Sequence, residues 1–463
     1  MSAYKPIAAL MAVSIAMLAP RAEANDDAAA LRTELQNLKS DYDARVAALE
    51  SRIAQLEVTS AAAALGVPAP LETTPVTAAG SSASAFNPAI SLVLAGSYAD
   101  TSREPGDWGI AGFMPNGGEI GPGERSFNLG ESELTFSASV DPYFSAQLTA
   151  AITGEDEIEV EEAFFRTLAL PAGFTAKGGR FFSGFGYLNE VHAHAWDFAD
   201  QPLVYQAFFG NQRGQDGLQL KWIAPMDLFV EFGAETGNGD AFPGTRRERN
   251  GLNGTTLFAH IGSDFGADAS WRLGAAWIDL DAENREFEDL DAQGEPVLNS
   301  FTGNSRTWVA DAVFKWAPGG NPARRYLKLQ GEYMHREETG DLTFDVENVA
   351  LADAYRSEQD GWYLQGVFQF RPRWRAGLRY DALDSGTPDI ALVTTGTLAP
   401  ESFPSLLPGD PSRTTVMLDW NPSEFSRWRL QYAWDEARDD GDTDRQLFLQ
   451  YLFGIGAHGA HKY

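Results

Sequence analysis

Cysteine is absent from the 463 residues. That excludes disulfides, thiolate metal ligands and cysteine nucleophiles. Positive charge is scarce, with 35 Lys and Arg against 65 Asp and Glu and a formal net charge of −30. Nucleic-acid phosphates are bound by basic faces, so nucleic acid is excluded as a partner. Beyond the N-terminus there is no apolar run of the roughly 18 residues that a membrane-crossing helix needs. Also missing is the Gly-x-Ser-x-Gly turn that presents a serine nucleophile, although Ser183 and His192 stand near one another in the chain. The glycine-rich GNGD around Asn238 and GGEIGPGE lack the strand-to-helix context of a phosphate loop. The expectation is a chain that is not an enzyme and that needs no cofactor, with zinc or another divalent cation as the alternative.

Three textures follow one another along the chain. Residues 1–24 combine Lys5, the short apolar run PIAALMAVSIAML and the small-x-small triplet Ala22-Glu23-Ala24, the pattern of a cleaved secretory signal. Residues 25–64 carry apolar side chains at Leu31, Leu35, Leu38 and Tyr42, then Val46, Leu49, Ile53 and Leu56. That is a heptad seam with one four-residue stutter, which predicts an α-helical coiled coil that self-associates. A helix of this length spans roughly 58 Å, enough to approach peptidoglycan from a membrane. Residues 65–86, rich in Pro, Ala, Ser and Thr, read as a linker.

From residue 87 to residue 463 the sequence alternates apolar and polar residues in short aromatic-rich segments. Sixteen such segments are distinguishable, the first at 90–99 and the last at 446–457. Period two over about ten residues is the signature of a strand crossing a membrane. The connectors alternate in kind. One set is short and rich in proline, such as Asp141-Pro142, Ala224-Pro225, Arg371-Pro372 and Asn421-Pro422-Ser423. The other set is mostly long and polar, at 100–126, 184–215, 237–254, 281–304, 338–360 and 383–412. Short turns at one end and long loops at the other are the habit of an outer-membrane barrel. The predicted fold is all-β, a 16-stranded antiparallel transmembrane β-barrel, with 18 strands as the alternative, preceded by the coiled coil.

The strand faces divide by polarity. Trp308, Ala310, Ala312, Phe314 and Trp316 alternate with Val309, Asp311, Val313 and Lys315. Trp428, Leu430, Tyr432 and Trp434 alternate with Arg429, Gln431 and Asp435. The last strand turns Leu447, Leu449, Tyr451, Phe453 and Ile455 to one side. A face that is apolar with aromatics at its ends suits lipid, and a charged opposite face suits a water-filled lumen. Expected lumen cations are Lys221, Arg272, Lys315, Lys328, Arg373, Arg375, Arg379 and Arg429. Expected lumen anions include Glu231, Asp311, Glu332 and Asp381, with Glu131, Glu133, Glu235 and Asp435. Arg373, Arg375 and Arg379 on one face would form a basic ladder able to pass anions, and ion pairing across the wall is the competing role. Connector 184–215 is aromatic-rich, which predicts that it folds inward as a constriction. It holds His192 and His194, flanked by Glu190 and Asp197. Imidazole with carboxylates suits zinc or another divalent cation, and histidines hydrogen-bonded in a packed loop are the alternative. The acidic loops are expected to be solvated, with binding of divalent cations beside lipopolysaccharide as the alternative.

The runs GGRFFSGFGYLNEVHAHAWDF, DQPLVYQAFFG and QDGLQLKWIAP resemble the phosphate-selective porin family of Gram-negative outer membranes. The LGESELTFSASVDPYF stretch is similar to a subgroup labelled zinc-regulated or TonB-dependent outer-membrane receptors. The resemblance implies a trimeric 16-stranded porin of the outer membrane, with the coiled coil in the periplasm and a loop that leaves a Gly-Arg-Phe strand end and turns inward. The chain is too short for a plug domain and about 22 strands. Its mixed lumen also differs from the dense basic ladder of phosphate-specific members. The expected function is passive diffusion of small hydrophilic solutes, anions among them. Metal-linked uptake and tethering of the outer membrane to peptidoglycan are the alternatives.

Overall fold

The computed structural model describes residues 88–116, 120–152, 157–245, 250–438 and 440–456. The expected signal segment, coiled coil and linker lie outside the described residues. Among the described residues, eighteen strands make one antiparallel sheet. They are β1 (Ala89–Thr101), β2 (Ser126–Leu129), β3 (Ser132–Ser139), β4 (Phe144–Ile152), β5 (Ile158–Thr167), β6 (Phe174–Phe182), β7 (Gly214–Ile223), β8 (Phe229–Gly237) and β9 (Gly254–Phe265). The second half comprises β10 (Ala269–Leu290), β11 (Pro296–Trp316), β12 (Tyr326–Phe344), β13 (Leu351–Arg371), β14 (Trp374–Asp384), β15 (Asp389–Ile390), β16 (Ser412–Ser423), β17 (Ser426–Glu436) and β18 (Asp444–Gly456). Two short α-helices interrupt the connectors, α1 (Leu203–Phe209) and α2 (Ala391–Thr394).

The sheet closes on itself because β1 pairs with β18, Leu94 opposite Phe453, and with β3, Leu92 opposite Leu134. Two short strands are not staves. β2 continues beside β1 where β3 ends, and β15 lies beside β13 while β14 pairs directly with β16. Sixteen staves remain of the eighteen strands. The alternative of an 18-stave barrel is set aside on this ground.

The expected loops at 281–304 and 338–360 are largely strand. β10 runs to Leu290 and β11 begins at Pro296, while β12 runs to Phe344 and β13 begins at Leu351. At about 3.4 Å per residue, strands of 19 to 22 residues far exceed the belt a bilayer covers. Polarity hid them. Above the belt the outward face is wet, so Glu283, Glu286 and Glu288 read as loop residues. The inward face still buries Ala282, Phe287, Phe301, Leu342 and Tyr355, against which Ile390, Leu392, Phe403 and Leu406 of the 385–411 connector pack. A buried ion pair, Arg285 to Glu338 at 2.8 Å, lies in the same region.

The outer face is apolar. Leu273, Leu329, Leu364, Leu378, Val416, Leu430 and Leu449 are all exposed. Aromatics border this belt. On one side Trp374, Trp420, Trp428 and Tyr451 are register partners on successive strands. On the other, Tyr333 opposes Trp362, whose ring centroid lies 5.6 Å from that of Tyr380. Trp308 and Trp316 stand eight residues apart on β11, roughly 27 Å along the strand. That is of the order of the apolar band of a membrane barrel, about 25 Å.

Arg373 departs from the expected ladder. It occupies the two-residue turn Pro372-Arg373 closed by the Arg371–Trp374 pair. It is exposed with φ of 72°. Proline followed by a left-handed residue is what a type II turn requires, so the position belongs to the hairpin and not to the lumen face of β14.

In lipid, Leu378→Arg is expected to destabilise the barrel by about 2–4 kcal/mol. Asp353→Arg, on the extended part of β13, is expected to stay within about 0.5 kcal/mol. Urea titration of vesicle-inserted protein, read by heat-modifiable gel migration, measures both.

Candidate functional site

The connector between β6 and β7 is the feature that decides what the lumen can do. Its base is clasped. The Ser183 N–H donates to the Arg213 carbonyl at 3.0 Å. Asn189, fully buried, bridges the two ends of the loop. Its amide donates to the carbonyls of Ser183 (2.8 Å) and Arg213 (3.0 Å), and its oxygen accepts from the Arg213 N–H at 2.8 Å. Glu235 of β8 accepts from the Ser183 hydroxyl, from the Gly184 N–H at 2.8 Å and from the Gln219 amide at 2.6 Å. These bonds turn the chain inward at the point where it leaves the wall.

From that base the connector crosses to the opposite staves. Lys328 of β12 and Arg375 of β14 hold Asp197 at 2.6 and 3.1 Å. Arg379 of β14 and Arg413 of β16 hold Asp200 at 3.1 and 2.9 Å. The Ala199 N–H donates to Gln431 of β17 at 2.7 Å, and Arg429 donates to the Trp196 carbonyl at 2.8 Å. In a sixteen-stave ring, β14 and β16 lie diametrically across from β6 and β7. The segment therefore spans the lumen. Burial opposes the charge of Asp197, but Lys328 and Arg375 hold its carboxyl well below the ordinary carboxylate range. Asp200, also opposed by burial, is lowered by Arg379 and Arg413.

The returning half contains α1. Pro202 precedes it, and Gly210 ends it with φ of 66°, its N–H bonded to the carbonyls of Gln206 and Tyr205. A left-handed glycine is the usual stop of a helix because no Cβ opposes it. All seven residues of α1 are buried. Leu203, Val204, Tyr205 and Phe208 pack with Ile278, Leu280, Val309, Met334, Tyr363 and Leu383, which face inward from the wall. At this level the lumen contains a packed apolar core, where the inward register predicts a charged face lining water. Glu332 accepts from the hydroxyls of Tyr205 and Tyr363, each at 2.8 Å, and from the Leu188 N–H at 3.0 Å.

The remaining expected lumen residues fall as follows. Arg272 contacts Asp311 at 3.0 Å and donates to the Gly186 carbonyl at 2.5 Å. Lys315 lies over the ring of Tyr187. Lys221 approaches Glu190 at 3.4 Å and Glu231 at 3.8 Å. Arg429 contacts Asp419 at 2.9 Å, Arg375 also pairs with Asp419, and Arg379 contacts Asp381 at 2.9 Å. The wall arginines are thus matched by wall and connector aspartates.

The four expected metal ligands separate. Glu190 goes to Lys177 and Lys221, and Asp197 to Lys328 and Arg375. His192 and His194 meet Glu133 of β3 and Glu161 and Glu162 of β5. Glu161 and Glu162 escaped the sequence reading, as did Asn189, Asp200, Arg413 and Asp419. An adjacent acidic pair inside an alternating strand was the available signal for the first two, because only a bulge turns both to one side. Above α1, toward the long connectors, Trp108, Phe113, Asn116, Ala207, Ser405 and Arg438 border a cavity of about 260 Å³.

No family model matches the chain. An "Uncharacterized protein" of Aquifex aeolicus is 31% identical over 402 residues, covering 82% of this chain and 80% of that one. Among solved structures, OmpT of Vibrio cholerae in its trimer form is 12% identical over 79% of this chain and 98% of its own, with a TM-score of 0.47. Pseudomonas putida OprB is 14% identical over 80% and 94%, with a TM-score of 0.48. An anion-selective porin from Comamonas acidovorans is 8% identical over 80% and 99%, with a TM-score of 0.46.

Asn189→Ala would take the side-chain donor from the Ser183 carbonyl and the side-chain acceptor from the Arg213 N–H, each costing about 1–3 kcal/mol. Expected results are a lower thermal midpoint and proteolytic cleavage within residues 184–212 while the barrel stays folded. Limited proteolysis with mass spectrometry locates the cut.

Proposed function

The chain belongs to one family with the Aquifex aeolicus protein, and we propose that its barrel is an outer-membrane porin, a narrow passage for small hydrophilic solutes. The observation that carries this reading is a closed sixteen-stave barrel, apolar outside, whose lumen is crossed by a connector tethered through ion pairs to the far wall. Only helices and closed barrels satisfy their backbone in hydrocarbon. A barrel of this stave number is wide enough for an aqueous channel, so the connector and α1, and not the wall, set the bore. Short turns face the periplasm and long connectors the exterior, as in bacterial barrels.

Selectivity by a basic ladder is not the favoured form. Arg375, Arg379 and Arg429 are each ion-paired with aspartates, and paired charges attract little from solution. Size exclusion by α1 is the main filter in this reading. The heptad seam at Leu31–Leu56 supports a self-associating chain, with a trimer as the expected state and peptidoglycan as a candidate contact.

Planar-bilayer recording of the refolded mature protein tests the proposal. Wild type is expected to show small discrete steps with weak ion preference in a salt gradient. Tyr205→Ala/Phe209→Ala is expected to enlarge the steps several-fold. A folded barrel that never conducts, in either form, would sink the reading. A strong anion-side reversal potential would restore the ladder.

A further inference from the structure

The pocket between β3, β5 and the start of the connector gathers four carboxyl groups around two imidazoles. Glu133 and Glu162 are buried, and Glu161 and both imidazoles are largely so. His192 Nδ1 lies 3.1 Å from Glu133 Oε2 and 3.2 Å from Glu161 Oε2, and its Nε2 lies 3.1 Å from Glu162 Oε2. His194 Nδ1 lies 2.5 Å from Glu133 Oε1. Glu131 adjoins Glu161 and Glu133, and its Oε1 is enclosed without a hydrogen-bond partner.

An imidazole nitrogen carries one hydrogen at most, yet Nδ1 of His192 faces two carboxylate oxygens. Four carboxyl groups crowd two imidazoles in a site largely shut off from water. Like charges at this spacing are costly in a medium of low dielectric.

The backbone is arranged to bring these groups together. The β4–β5 register shifts between Thr149 and Ala150, so that Thr149 opposes Glu162, Ala150 opposes Val160, and Glu161 is the extra residue. Without the bulge, alternation would turn Glu161 to the lipid side. Bulges that re-aim a side chain are frequent next to functional sites. Glu131 and Glu133, two apart, share a face with it. Gln147 of β4, between the two strands, donates to Glu162 at 3.1 Å.

We propose that Glu133, Glu161 and His192, with Glu162 and His194 beside them, bind one first-row divalent transition cation. One ligand atom from each of the first three lies within 4.8 Å of the others. The 3.1 and 3.2 Å separations from Nδ1 match polyhedron edges around an ion with bonds of about 2.0–2.1 Å. Imidazole nitrogen among carboxylates suits zinc or manganese over calcium or magnesium, which take oxygen ligands. A divalent ion would join carboxylates of β3 and β5 to His192 and so tie the connector to the wall beside its base.

The test uses the full chain carrying His458→Ala/His461→Ala, so that the terminal histidines contribute nothing. EDTA-stripped protein is titrated with Zn(II) and with Mn(II), and bound metal is counted by mass spectrometry after gel filtration. One ion per chain is expected. Adding Glu133→Gln/His192→Ala should weaken binding at least a hundredfold, whereas His335→Ala, which removes a partner of Asp360 on the outward side of β12, should leave it unchanged. Heat-modifiable migration verifies folding of each variant. Where the double variant does not fold, zinc-edge X-ray absorption on the otherwise unaltered protein decides: imidazole scattering with oxygen at about 2.0–2.1 Å is required. No stoichiometric ion, meaning carboxylates that share protons only, overturns the site. So does equal binding by the folded double variant, or an absorption edge without imidazole.

Discussion

Everything in this barrel depends on one requirement, that no strand edge be left unpaired. β1 must pair with β18 on one side and β3 on the other, because an open edge in hydrocarbon strands backbone donors and acceptors with nothing to bind. Closure makes the apolar face the outside and leaves the charged face to the lumen. Once the ring is shut, a segment leaving any stave has two choices, the exterior water or the interior. The Asn189 clasp and the hydrogen bonds to Glu235 send the β6–β7 connector inside.

The interior is built by ion pairs at the margin and apolar packing at the centre. A buried charge is tolerated only with partners that replace its water. Asp197 and Asp200 bring negative charge from the connector to Lys328, Arg375, Arg379 and Arg413 on the far wall. The same pairs that position the constriction also neutralise the arginine-rich wall. Positioning and loss of basic character are therefore one event. α1 then needs only to fill the space between, which Tyr205, Phe208 and Phe209 do against Ile278, Val309 and Met334.

The extended hairpins β10–β11 and β12–β13 serve a different end. Their inward faces carry Phe287, Phe301, Leu342 and Tyr355 beyond the belt and support the 385–411 connector. That gives the long-connector end a packed cap. The expected loops at 281–304 and 338–360 are in large part this palisade, because a strand wet on one face and covered on the other by loops loses the lipid-belt pattern.

The residue pattern alone determined what is local. Side chains alternate along a strand by geometry, so the sixteen segments, the parity of short and long connectors, and the lipid-facing register of Trp428, Leu430 and Tyr432 were legible. Two local details depart from the pattern: Arg373 lies in a turn, because the Pro372 hairpin outranks strand alternation, and the polar stretches 281–304 and 338–360 are mostly strand. What the tertiary structure decided is what depends on distant partners. Asp197 meets Lys328, Glu332 meets Tyr205, and the histidines meet Glu133, Glu161 and Glu162 across gaps that no period encodes. Glu190 and Asp197 flank His192 and His194 in the chain but are drawn to lysines and arginine, because a carboxylate goes to the cation that closure of the barrel places within reach.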